Sequence, residues 1–129
     1  MKDIETEADI ALFLDRFYAR VRRHPELGYI FDEVARVDWP THLPRIERFW
    51  SSLLLGTHTY EGNPMQPHLR LAGQTPIRPE HFRQWLGLFN QTLTELFAGE
   101  RTQEALGRAN AIAAVMQTKL DQLGLLQAD

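Results

Sequence analysis

The sequence predicts an all-α fold, and three observations predict it. Four long stretches repeat apolar residues at the three- and four-residue spacing of one helix face. Proline, glycine and capping residues stand between those stretches. No alternating strand pattern, internal repeat or low-complexity segment competes with them. At 129 residues the chain is read as one domain, residues 1–129, long enough to bury a real core.

The first helix is predicted to start near Thr6, which with Asp9 forms a capping pair. Ile10, Phe13, Leu14, Phe17, Tyr18 and Val21 make its apolar stripe. Arg16, Arg20, Arg22 and Arg23 lie off that stripe or near the C-terminal end, where cations suit the helix dipole, and read as a solvated face. Pro25 and Gly28 end the helix. Residues 25–38 read as a connection whose Leu27, Tyr29, Ile30 and Phe31 must cover something apolar.

A second helix follows, capped by Asp38 or Thr41 and closed by Gly56. Its stripe is Leu43, Ile46, Phe49, Trp50, Leu53 and Leu54, and His42 shares a face with Ile46, Phe49 and Leu53. Pro44 is the irregular feature. Its ring meets the carbonyl four residues back unless it sits in the first turn, so the helix is expected to start late, around His42, or to kink. From Thr57 to Arg78 the chain is expected to be irregular, apart from a helical turn around His68. A third helix starts at Pro79 and runs through Phe82, Trp85, Leu86, Phe89, Leu93 and Phe97 to Gly99. A fourth starts near Thr102 and carries Leu106, Ala109, Ile112, Met116, Leu120 and Leu123 to Gly124.

Composition removes several function classes. A net charge of −3 gives no general electrostatic case for nucleic acid. The absence of cysteine excludes disulfides, thiolate metal sites and iron–sulfur clusters. No apolar run has membrane-spanning length and Met1 opens no signal peptide, so no membrane span and a cytoplasmic location are expected. No nucleophile motif, phosphate loop or H-E-x-x-H pattern is present.

What remains is a set of polar aromatics and histidines on faces that should be buried: Tyr18, His42, His68 and Trp85. A buried tyrosine or tryptophan needs a partner for its O–H or N–H. Each could be satisfied by a nearby backbone carbonyl, or all could face one polar pocket. His68 sits in PMQPHLRLAG, a short apolar segment between two long helices, which can aim one histidine inward as a fixed ligand.

These residues stand in segments that resemble the truncated haemoglobins, and within them the third group, over nearly the whole chain. The segments are FYARVRRHPELGYIF from 17 to 31, WPTHLPRIERFW from 39 to 50, LLLGTHTYEGNPMQPHLRL from 53 to 71 and HFRQWLGLF from 81 to 89. The double-glycine motifs of the other truncated groups are missing, as in the third. The resemblance implies a shortened globin fold, two helices over two, around haem b. It implies that His68 is the proximal ligand of haem iron, with Tyr18, Trp85 and His42 on the distal side. Phe31, Ile46, Phe49, Leu71, Phe82 and Ile112 are implied haem contacts, with His81 on the propionate side. The implied partners are a diatomic gas (oxygen, nitric oxide or carbon monoxide) and an electron-donating reductase. A polar distal pocket suits tight oxygen holding, or chemistry such as nitric oxide oxidation or a peroxidase-like reaction. The rival from another class is a haem-free helical interaction module, which would be colourless.

Overall fold

The computed structural model describes residues 1–57 and 70–129. Its main elements are helices, and no strand occurs among the described residues. Helix α1, Glu7–Arg23, starts as the sequence predicts. The Thr6 side chain accepts the Asp9 N–H and the Asp9 carboxylate accepts back from the Thr6 N–H. The whole predicted stripe, from Ile10 to Val21, is buried.

The stretch after α1 is helical rather than an irregular connection. Helix α2, Pro25–Gly28, runs directly into a π-helical segment, Tyr29–Val34. His24 makes this possible, because its Nδ1 accepts from the backbone N–H of Glu26 and Leu27, both at 3.2 Å. The π turn shifts the register of side chains, which hides the helical period from a sequence reading. Gly28 is required by proximity. A Cβ there would lie 2.3 Å from the Arg22 carbonyl oxygen.

Helix α3, Trp39–Leu55, begins earlier than Pro44 suggested. The N–H groups of Thr41 and His42 both donate to the Asp38 carbonyl, and the Thr41 hydroxyl donates to Asp38 Oδ2 at 3.0 Å. These bonds set the first turn, so Pro44 falls in the second. There it removes the donor that the Pro40 carbonyl would otherwise receive, and its ring crowds that carbonyl. Gly56 closes α3 in the left-handed region at φ 68°, as its position predicts.

Residues 70–72 are helical and end in a turn at Gly73 and Gln74. Helix α4, Pro79–Leu96, starts at the predicted proline. Helix α5, Glu100–Gln122, starts two residues before the expected Thr102. The reason lies at the other end of the chain. Asp3 lays its carboxylate across the α5 N-terminus, accepting from the N–H of Arg101 and Thr102 and from the Thr102 hydroxyl. The last residues fold back as well. Leu126 bridges to Ile77, Gln127 N–H donates to the Ile77 carbonyl, and Asp129 accepts the Glu80 N–H.

Helix α1 pairs with α3 and α4 pairs with α5, and the two pairs stack through α1 on α4 and α3 on α5. This is the two-over-two arrangement. Phe13, Phe17, Trp50 and Phe89 form its aromatic centre, with ring centroids 4.9 to 5.9 Å apart in the pairs that touch. A second, smaller cluster holds Ile30, Ile77 and Leu120 under Leu71 and Phe82. No helix among the described residues is long and apolar enough to cross a membrane.

Candidate functional site

Tyr18 comes off the last third of α1 into the interior and is 7% exposed. Burial pushes its hydroxyl well above the usual phenol range, against a weaker downward pull from the hydrogen bond offered by the Trp85 indole. Indole nitrogen can only donate, so the Tyr18 oxygen accepts and keeps its own proton to give away. Helices α1 and α4 thus set a phenol and an indole side by side within an otherwise apolar core. Phe17 fixes both rings edge-on, 4.6 Å from Tyr18 and 5.2 Å from Trp85.

Around this pair, Phe31 stands 6.2 Å from the Tyr18 ring, and Trp39 stands 5.4 Å from it. Trp39 in turn meets the His42 ring edge-on at 5.9 Å. Ile46, Phe49 and Ile112 pack on the main core while remaining only partly buried. Next to His42, where α3 begins, a cleft of about 480 Å3 opens towards residues 70–74. Arg36, Arg45 and Arg70 line it with His42 and Leu71. Arg36 holds a left-handed φ of 51°, the only residue other than glycine to do so among those described.

The sequence-derived residues fall into three sets. Tyr18, Trp85, Phe31 and His42 converge on one region, and Ile46, Phe49 and Ile112 belong to the same core. Leu71 and Phe82 lie in the smaller cluster, with Leu71 also at the cleft. His81 is occupied by the fold. Its Nδ1 accepts the Arg78 N–H at 3.0 Å, and its Nε2 faces Glu26 Oε2 at 3.4 Å. His68 lies outside the described residues. Trp39 and the three cleft arginines were not singled out by the sequence. Trp39 precedes a proline at a helix start, outside the apolar period, and the arginines carry no motif.

No family model matches the chain. A group 3 truncated hemoglobin of Campylobacter jejuni is 34% identical over 121 residues, covering 92% of this chain and 93% of that protein. The chain belongs to the group III truncated haemoglobins. The crystal structure of a group III truncated hemoglobin from Campylobacter jejuni matches it with a TM-score of 0.80, at 34% identity, over 93% of this chain and 95% of that one. A truncated haemoglobin is a globin-type haem protein that binds a small gaseous ligand, and the residues here fit such a group. Haem is a flat apolar ring with two carboxylates on one edge. Phe31, Ile46, Phe49 and Trp85 offer a partly uncovered apolar wall, and the arginines beside His42 offer cationic groups suited to carboxylates. Family membership therefore favours the haem protein over the haem-free module.

Proposed function

We propose that this truncated haemoglobin holds haem b through His68 and uses Tyr18, Trp85 and His42 as its distal polar groups. The observation that carries this reading is the buried Tyr18 hydroxyl set beside the half-buried Trp85 indole between α1 and α4. A buried hydroxyl costs free energy unless it is hydrogen-bonded, so the Tyr18 proton calls for an acceptor. Haem supplies a binding place for oxygen, nitric oxide or carbon monoxide. Phe31, Ile46, Phe49, Leu71, Phe82 and Ile112 enclose the ring and keep water out. Arg36, Arg45 and Arg70 take the propionate edge, a role for which the engaged His81 is less suited.

Tyr18 keeps a donatable proton because its oxygen accepts from Trp85, and that proton is the one offered to a polar ligand. Each such hydrogen bond is worth about 1 kcal/mol or a little more, so a pair slows oxygen release by roughly tenfold to a hundredfold. Slow release suits holding or turnover of oxygen rather than transport. Nitric oxide oxidation and peroxide reduction are the reactions such a pocket serves, with a reductase returning the electrons.

The test is the proximal ligand. The purified chain should show an intense haem absorption band, and His68→Ala should lose most of that haem or regain it only with added imidazole. Full haem and an unchanged ferrous spectrum in His68→Ala would rule out this ligand.

A further inference from the structure

Trp39 carries three contacts that combine the properties of an electron relay. Its ring lies 5.4 Å from that of Tyr18, tilted by 46°. Its Nε1–H donates to Asp32 Oδ1 at 2.8 Å. The Arg22 guanidinium stands 5.1 Å from the centre of the ring, while Arg22 Nε donates to Asp32 Oδ2 at 3.2 Å. Trp39 itself is 7% exposed, but the side chains of Asp32 and Arg22 are 31% and 49% exposed. A continuous line of contact therefore runs from Trp85 through Tyr18 and Trp39 to solvent.

We propose that Trp39 is the outlet of a one-electron relay, through which Tyr18 and Trp39 deliver electrons from a surface reductant of the phenol class to the haem pocket. This rests on the haem reading above, with hydrogen peroxide as the oxidant. An oxidised phenol or indole is strongly acidic, so oxidation settles where the proton has a local acceptor. Among the described residues no carboxylate acts on the Tyr18 hydroxyl. Trp39 has one in direct hydrogen bond. Arg22 over the ring disfavours a positive charge there and steers the oxidised indole to its neutral, deprotonated form.

The step balances. Reducing one peroxide to two waters takes two electrons and two protons. For each electron, Trp39 gives one across the Tyr18 ring to the pocket and passes its Nε1 proton to Asp32, leaving a neutral indolyl radical. A phenol at the surface then returns an electron, Asp32 returns the proton, and the phenol's own proton goes to solvent, from which the pocket draws its protons. Two phenols leave as phenoxyl radicals for each peroxide reduced.

The experiment treats the haem-loaded ferric protein with hydrogen peroxide and a nitroso spin trap, then locates the adduct by peptide mass spectrometry. In the parent the adduct should sit on Trp39. In Trp39→Phe it should shift to Tyr18. Asp32→Asn keeps an acceptor for the indole N–H but accepts no proton, so the Trp39 adduct should be lost while the haem spectrum and oxygen binding stay as in the parent. Adduct confined to other residues of the parent, or undiminished Trp39 labelling in Asp32→Asn, overturns the relay while leaving the haem reading intact. A parent chain without a haem band overturns both.

Discussion

Tyr18 and Trp85 share one hydrogen bond between two groups that could each serve a ligand. Substituting either alone therefore has two effects. Tyr18→Phe removes the hydroxyl, keeps the ring volume and frees the Trp85 N–H to turn towards the ligand. Trp85→Phe removes the indole donor but leaves the Tyr18 hydroxyl in place. Each single variant retains one donor, and only Tyr18→Phe/Trp85→Phe loses both. Oxygen release from the double variant should be faster than the product of the two single effects by about tenfold, the equivalent of one hydrogen bond near 1.4 kcal/mol. Carbon monoxide, less polar when bound, should show much less coupling. Stopped-flow displacement of oxygen on the four proteins measures this directly. Strictly multiplicative effects would mean that the two groups do not compensate for one another at the ligand.

At the scale of elements, the helix ends depend on partners far away in sequence. Asp3 does for α5 what no nearby residue does, because Gly99 has no side chain to cap with. Partial burial pushes the Asp3 carboxyl up, but the bonds from Thr102, Arg101 and Ile4 together outweigh it and bring it down to about 2. Asp3→Ala should lower unfolding stability by about 1–2 kcal/mol, in the range for loss of an N-terminal cap. Urea titration with an unchanged slope checks that only stability has moved. The sign of the acid dependence follows from the depressed value. The contribution is present above the unfolded carboxylate range near 3.8 and is lost as pH falls towards 2. A stability equal to the parent's would show that water caps α5 as well as Asp3 does. The same distance explains what was legible in the sequence. The stripes of α1, α3, α4 and α5 were, because helical period and packing agree over many residues, except that the expected last stripe residue, Leu123, lies past the end of α5 and is 50% exposed. The α2 and π-helical turns were not, since their register shifts within a few residues. Arg20 and Arg22 read as a solvated face. Each is partly exposed, but Arg20 bonds Thr92 and Glu95, and Arg22 bonds Asp32.

On the scale of the whole molecule, one histidine joins three parts that the sequence keeps apart. His81 stands at the first turn of α4, 7% exposed, facing Glu26 of α2 and close to the tail that returns over α4. Within the candidate site the converging residues Tyr18, Trp85 and His42 were visible from sequence. The engagement of His81 was not, because a buried cap depends on what folds over it. Burial is the largest influence on His81 and lowers its pKa, and Arg78 adds to this. Glu26 and Asp129 act in the opposite sense without overcoming it. The bond pattern agrees, since Nδ1 accepts the Arg78 N–H and can do so only while unprotonated. A folded value below the ordinary histidine value of about 6.5 means that the unfolded chain binds the proton more readily. Stability from His81 is therefore complete above about 6.5 and is lost as pH falls through the folded value. Arg83 bonds both Glu80 and Asp129, so losing the His81 cap loosens the start of α4 and the tail together. Urea midpoints of the parent should drop between about pH 7.5 and pH 5.5, more than those of His81→Gln, whose amide oxygen accepts at either pH. Hydrogen exchange should place the acid-sensitive amides at the start of α4 and at Gln127. Parallel pH profiles for parent and variant would assign the acid sensitivity to groups other than His81.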